Sequence, residues 1–191
     1  MMIRQFMRSR WFKLLNLPLH IFYNKKYLRG YYYENKVMGW VWAWKAVPFK
    51  LIGVNRKLPF PADSTVRIHN AKNIIFDRDD IHIFQSPGTY FNNFSAKIYI
   101  GKGVYIAPNV GIITANHDFN DLHAHNEGKN VVIGDKSWIG MNAVILPGVT
   151  LGEKTIVGAG AIVTKSFPEG NVVIAGNPAK KIKELSVNEA K

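Results

Sequence analysis

The chain has 191 residues, 47% apolar and 20% charged, a composition ordinary for a globular protein and long enough for one core with an appendage. It has no cysteine, which excludes disulfides, thiolate metal sites, iron–sulfur clusters and any S-acyl enzyme intermediate. The net charge of +12 is unevenly placed: residues 1–57 carry twelve Lys or Arg against the single acid Glu34, and the rest is nearly neutral.

The basic part comes first and reads as short helices. Ile3, Phe6, Met7, Trp11, Leu14 and Leu15 recur at three- and four-residue spacing, with Arg4, Arg8 and Lys13 off that stripe and Pro18 closing it. A second apolar cluster, Val37–Trp44, ends before Pro48. The longest charge-free runs, Leu14–Asn24 and Val37–Trp44, fall well short of the ~18 apolar residues of a spanning helix. No uninterrupted apolar region with a small-residue cleavage site follows the basic start, so a secretory signal is not expected. Bases mixed with Trp, Tyr and Phe on amphipathic helices suit an anionic membrane surface, with residues 1–57 as the contact. The competing expectation is that the aromatics cover the end of the following domain and the charges are simply solvated. No recognition motif accompanies the charge, so nucleic acid is not an expected partner.

From about Val66 the texture changes to an internal repeat. Ile133, Ile139, Ile145, Leu151, Val157 and Val163 fall every six residues, several followed by glycine. Ser137, Ala143, Val149, Thr155 and Ala161 sit four places after the first five. The period continues upstream through Ile100, Ile106 and Ile112, and more faintly at Ile68 and Ile74. Six fits no helix and no long strand. It fits a solenoid of short strands in which three hexapeptides make one triangular coil, so that Ile133 stacks on Leu151, Ile139 on Val157 and Ile145 on Val163. Glycine after the aliphatic residue serves a positive φ or a close backbone approach. Each coil bonds only to its neighbours, so the ends need caps. The expected organisation is a basic, aromatic-rich helical segment at 1–60, the solenoid at 61–176 and a tail at 177–191.

The repeat breaks once. Ile112 and Ile133 are 21 residues apart, and residues 116–130 form a polar excursion rich in His, Asp and Asn. A loop that the scaffold does not need is where function is expected.

Residues from about Ile68 to Leu185 resemble the hexapeptide-repeat acyltransferases, in the branch of galactoside, maltose, capsule and lipopolysaccharide O-acetyltransferases. The likeness is most specific over Ile133–Lys165 and Ile174–Lys180. It implies a left-handed parallel β-helix, a homotrimer with sites between subunits, acetyl-CoA as acyl donor, a sugar or glycan acceptor, and no metal. In that family a histidine after a Thr-Ala-like stretch is the catalytic base, which places the role on His117 within Thr114-Ala115-Asn116-His117-Asp118. The chemistry needs such a group, because a sugar hydroxyl is a poor nucleophile until an imidazole titrating near neutral pH removes its proton. With no cysteine, direct transfer is expected over a ping-pong route. Asp118, Glu127 or a backbone carbonyl would hold the His117 ring, while His123 and His125 read as ordinary loop residues.

The resemblance also carries over donor positions. Trp138 matches a tryptophan flanking the CoA channel. Gly140, Ala159, Gly160 and Thr164 match small positions along the pantetheine path, and Lys165, Lys180 and Lys183 match bases near the CoA phosphates. Met141 stands where some relatives have serine. On the acceptor side Tyr90-Phe91-Asn92-Asn93-Phe94 resembles an aromatic–asparagine segment, with the choice between Asn92 and Asn93 open. Asp77, Asp79 and Asp80 are further acceptor candidates or else turn residues. The strongly basic start departs from the small sugar acetyltransferases, and points to a cell-surface polysaccharide or lipid-linked glycan precursor met at the cytoplasmic face of the membrane. Three other readings stand beside this one: N-acetylation of an amino sugar, a non-catalytic scaffold of glycan assembly, and a three-histidine zinc enzyme of the γ-carbonic-anhydrase type.

Overall fold

The structure, a computed structural model, describes residues 9–185. They divide between Ser64 and Thr65 into two compact units.

The first unit is helical: α1 (Arg10–Asn16), α2 (Leu19–Phe22), a 3-10 turn (Lys25–Tyr27), α3 (Tyr31–Glu34) and α4 (Met38–Leu51). Ser9 caps α1 by accepting from the Phe12 amide at 3.2 Å. The expected apolar stripe of this helix does not face the core. Phe12 and Asn16 point inward, while Trp11, Leu14 and Leu15 are exposed. Asn16 sets this rotation. Its Nδ2 donates to the Phe12 carbonyl at 2.8 Å, and its Oδ1 accepts from the Trp44 indole at 2.9 Å. The Phe12 ring adds an edge-on contact with Trp40, centroids 5.7 Å apart. Ile3, Phe6, Met7, Arg4 and Arg8 lie outside the described residues.

Helix α4 buries its small side, Gly39, Ala43, Ala46 and Val47. A Cβ on Gly39 would sit 2.9 Å from the Tyr33 ring, so only glycine allows that ring to lie against the helix. Tyr23 closes the packing by donating from its hydroxyl to the Ala43 carbonyl at 3.0 Å. One of the bases expected at the surface is inside. Lys50 is 5% exposed, and its Nζ donates to the carbonyls of Asn55, Arg56 and Leu58 at 2.8–3.2 Å. Burial pushes its pKa down to about 8.

The second unit is the expected left-handed parallel β-helix. The first sheet contains β1 (Arg67–Ile68), β3 (Tyr90–Asn92), β6 (Gly111–Ile113), β9 (Val144–Ile145) and β12 (Ile162–Val163). The second contains β2 (Ile74–Ile75), β4 (Ile98–Ile100), β7 (Val131–Ile133) and β10 (Thr150–Leu151). The third contains β5 (Tyr105–Ile106), β8 (Trp138–Ile139), β11 (Ile156–Val157), β13 (Val172–Ala175) and β14 (Lys180–Glu184). Ile133 pairs in register with Leu151, Ile139 with Val157 and Ile145 with Val163. All six are buried, as are Ser137, Ala143, Val149, Thr155 and Ala161.

Of the two roles expected for the glycines after the aliphatic positions, close approach applies. Gly134 has no positive φ, and a Cβ on it would lie 2.4 Å from the Gly152 carbonyl carbon of the next coil. Left-handed backbone falls elsewhere in the coil, at Asn109, Lys136, Asn142 and Lys154.

The early coils are longer. Ile68 pairs with Phe91 and Ile74 with Ile98, and a 3-10 stretch (Arg78–Gln85) supplies the added length. Two of the aspartates there are structural. Asp77 caps the stretch through the Asp79 amide at 2.8 Å, and buried Asp80 accepts from the Gly103 amide at 2.6 Å. At the other end β14 runs antiparallel to β13 and forms the edge of the third sheet. Gly134→Ala is expected to lower the unfolding free energy of the β-helix by about 1–3 kcal/mol in denaturant titrations, because coil-to-coil backbone contact leaves the methyl no room.

Candidate active site

The excursion is built as an addition to one coil. Ile100 pairs with Ile133, 33 residues on, where Ile133 pairs with Leu151 only 18 residues on, so the loop adds 15 residues. It leaves the first sheet after β6 and returns to the second at β7. Its root is pinned: the Thr114 amide and hydroxyl both donate to the Asn92 carbonyl, at 3.0 and 2.7 Å, and the Lys129 amide donates to the Thr114 carbonyl at 2.7 Å. Between these points the loop folds back on itself. Asn126 N–H donates to the Asn116 carbonyl, Asp118 N–H to the Ala124 carbonyl, and His117 faces His125 as an antiparallel bridge.

His117 is held by the loop's own backbone. Its Nδ1 lies 2.8 Å from the Leu122 carbonyl oxygen. A carbonyl can only accept, so Nδ1 carries a proton, and in the neutral ring the lone pair is then on Nε2. Of the three orienting groups considered from the sequence, the structure selects the backbone carbonyl. Asp118 instead accepts from the Asn120 amide at 2.7 Å, and Glu127 is solvent-exposed. The two other loop histidines differ. His123 is exposed, and its amide donates to Asp121 at 2.9 Å. His125, read from the sequence as an ordinary loop residue, lies against the His117 ring with centroids 4.3 Å apart and planes at 35°. Phe94 packs edge-on against His125 at 4.8 Å, and His69 bridges Phe94 and Tyr90 at 5.9 and 5.5 Å. A row of rings therefore backs the histidine.

His69 and His125 carry no sequence signal, since a hairpin and an irregular coil place them. Phe94 lay at the end of the aromatic–asparagine segment, and its place in the row could have been asked of that segment.

The two asparagines separate clearly. Asn93 is wholly buried. Its Oδ1 accepts from the amides of His69 and Asn70, and its Nδ2 donates to the Asn70 carbonyl at 2.7 Å. Asn92 stands in β3 beside Tyr90, with a 3.5 Å contact from its Nδ2 to the Tyr90 hydroxyl. The Asn92 Oδ1 is buried without a hydrogen-bond partner among the described residues, an arrangement that costs about 1–3 kcal/mol unless a donor arrives.

Four of the donor-side residues, Trp138, Gly140, Ala159 and Gly160, lie on a different edge. Trp138 in β8 is exposed, and Gly140 follows it where the third sheet turns into the first. A Cβ on Gly140 would lie 2.7 Å from the Ala159 amide nitrogen, so this glycine is required by the coil itself. One coil on, Ala159 and Gly160 are exposed, with open space beside Gly160 and its amide donating to the Met141 carbonyl at 2.8 Å. Lys180 and Lys183 lie on β14 of the third sheet. Thr164 and Lys165 follow β12, on the edge where the first sheet turns into the second, with the Lys165 ammonium 5.6 Å from the Phe167 ring. The excursion leaves along that same edge. A single chain thus places His117 and Trp138 on opposite edges of the first sheet. Among the described residues no three His, Asp or Glu come together in a way that could hold a metal ion.

The family profile described as "Bacterial transferase hexapeptide (six repeats)" matches residues 130–165. The chain is 39% identical over 116 residues to the galactoside O-acetyltransferase of Escherichia coli K12, covering 56% of this chain and 55% of that protein. Among solved structures it resembles a maltose O-acetyltransferase of Clostridium difficile 630, at 35% identity and TM-score 0.53 over 63% of this chain and 64% of the other. It also resembles a hexapeptide-repeat acetyltransferase of Vibrio cholerae in complex with acetyl coenzyme A, at 31% identity and TM-score 0.54 over 61% and 62%. The chain spans about half the length of the curated relatives it matches.

The asparagine assignment can be checked without any substrate. Asn93→Ala is expected to cost about 2–3 kcal/mol of stability in chemical unfolding, because it strips two backbone amides and a carbonyl of their partner. Asn92→Ala should leave stability unchanged or raise it.

Proposed function

We propose, on the premise that this chain belongs to the hexapeptide-repeat acetyltransferase family, that it moves an acetyl group from acetyl-CoA directly onto a sugar hydroxyl with His117 as general base. The observation that carries this reading is the bond from His117 Nδ1 to the Leu122 carbonyl. It fixes the tautomer in which Nε2 can take a proton, and it steadies the imidazolium once the proton has arrived. The stack of His125 and Phe94 behind the ring limits its rotation. Acetyl-CoA supplies the thioester carbonyl, and the acceptor oxygen attacks it as Nε2 removes the hydroxyl proton. The tetrahedral intermediate collapses with cleavage of the carbon–sulfur bond, and Nε2 returns its proton to the sulfur, so that CoA departs as the thiol. No protein nucleophile is needed, in keeping with the absence of cysteine.

Asn92 and Tyr90 are the acceptor-side contacts. The partnerless Oδ1 of Asn92 takes a hydrogen bond from a sugar hydroxyl, which recovers the cost of burying it. An alcohol-rich acceptor satisfies such an atom, and both named O-acetyltransferase relatives above point to sugars as the substrate class. The acceptor is a saccharide of a surface polysaccharide or a lipid-linked glycan precursor. On the donor side the exposed backbone at Ala159 and Gly160 admits the pantetheine arm, Thr164 lies further along its path and Trp138 flanks the channel. Lys165, Lys180 and Lys183 meet the CoA phosphates. Because one chain keeps Trp138, Ala159 and Gly160 on the edge away from His117, a neighbouring copy completes each site, and the working form is a homotrimer.

The test is acceptor-dependent release of CoA from acetyl-CoA, followed with a thiol reagent over a panel of sugars, nucleotide sugars and glycan fragments. The protein contributes no thiol background. His117→Ala should lower kcat/KM by about 10²–10⁴-fold, the usual contribution of a positioned base. Release that persists in the variant would remove His117 from this role. No release and no CoA binding would leave the β-helix as a scaffold.

A further inference from the structure

Helix α1 turns Asn16 inward beside Phe12 and leaves Trp11, Leu14 and Leu15 outward, so most of its apolar surface does not face the core. Trp11 is 82% exposed and Ile21, on α2, is 83% exposed, with Leu14, Leu15 and Leu17 also open to solvent. This is not loose packing. Asn16 is locked to Trp44 and to the Phe12 carbonyl, and Leu19 between Leu17 and Ile21 is fully buried. The turn is anchored from within, so these five large side chains stay exposed while Phe12, Asn16 and Leu19 are buried.

At about 100° per residue, Leu14, Trp11 and Leu15 cover an arc of roughly 100° on the outer side of α1. Arg10 is exposed on the flank of that arc, Lys13 is exposed towards the opposite side of the helix, and Lys25, Lys26 and Arg29 are exposed in the next turns. Residues 1–64 carry twelve bases against Glu34 and Asp63, and only Lys50 of the described bases in this unit is buried. Five exposed large apolar side chains within eleven residues, rimmed by bases, mark a contact site.

We propose that this face is a membrane anchor: Trp11, Leu14, Leu15, Leu17 and Ile21 enter the headgroup–acyl boundary of an anionic leaflet while Arg10, Lys25, Lys26 and Arg29 meet its lipid phosphates. The charge selects the occupant. A second copy of so basic a surface would be repelled, whereas anionic lipid attracts each nearby Lys or Arg. Length agrees: seven residues of helix rise about 10 Å, enough to lie in the interface and far too short to cross the ~30 Å hydrocarbon layer. Tryptophan beside leucine on a short helix is the composition that settles at this depth. The anchor stands independently of the acetyl-transfer reading, since it uses no residue of that site.

The experiment is co-sedimentation of the full chain with vesicles of phosphatidylcholine alone and of phosphatidylcholine with 30% phosphatidylglycerol, an amount on the order of a natural anionic leaflet. Wild type should bind the anionic vesicles and be released as salt rises from low to high. The double variant Leu14→Gln, Leu15→Gln should bind at least about tenfold less tightly, given the apolar surface it withdraws. Both side chains are exposed, so the circular dichroism spectrum and melting curve should match wild type. Undiminished binding by the double variant would overturn the apolar insertion, and failure of wild type to bind anionic vesicles would overturn the anchor altogether. A shift of oligomeric state in the variant with no change in vesicle binding would assign the face to a second copy instead. Acceptor-dependent CoA release with a soluble sugar, run on the same samples, should be equal for both proteins and separates a failed anchor from a failed enzyme.

Discussion

Every functional position in the β-helix depends on the in-register backbone bonding of one coil to the next. Ile133 over Leu151, Ile139 over Val157 and Ile145 over Val163 are the visible part of that ladder. Because the coils touch through backbone, small deviations propagate nowhere: each coil constrains only its neighbours. This lets fifteen extra residues leave at one corner without disturbing the register on either side. The loop that carries His117 is therefore free to vary in chemistry while its root, fixed by Thr114 on the Asn92 carbonyl, is not free to move.

The placement of the site follows from this rigidity. The proposed base needs one nitrogen unprotonated and aimed, and the loop's own backbone holds the His117 ring through Leu122, with no carboxylate partner among the described residues. A neutral partner of this kind stabilises the imidazolium less than an ionised one would. The arrangement suits a base that must give its proton up again. The first sheet separates the histidine edge from the tryptophan edge, as the proposed site shared between chains requires.

How much of this the sequence revealed depends on the range of the interaction concerned. The six-residue period, the stacking partners and the excursion were legible because coil-to-coil contacts repeat at fixed spacing. The rotation of α1 was not. It hinges on Asn16 meeting the Trp44 indole, 28 residues away, and a polar residue on the inner side inverts the stripe that Trp11, Leu14 and Leu15 describe. Alternation along β3 could have separated Asn92 from Asn93, since Phe91 pairs with Ile112 in the core and its neighbours must then face out. His69 and His125 reach the site through a lengthened coil and a hairpin, neither of which leaves a period to read. The identity of the group holding His117 was equally hidden, because a backbone carbonyl has no residue type.

The most direct test of the account is whether two inactive chains repair each other. His117→Ala removes the base from one edge, and Ala159→Trp blocks the exposed donor path on the other. Each variant alone should be inactive in acceptor-dependent CoA release. Co-expressed and purified as mixed oligomers, they should regain activity, because some interfaces then join an intact His117 to an intact Ala159 edge. Mixed oligomers as inactive as either parent would contradict a site built by two chains around His117.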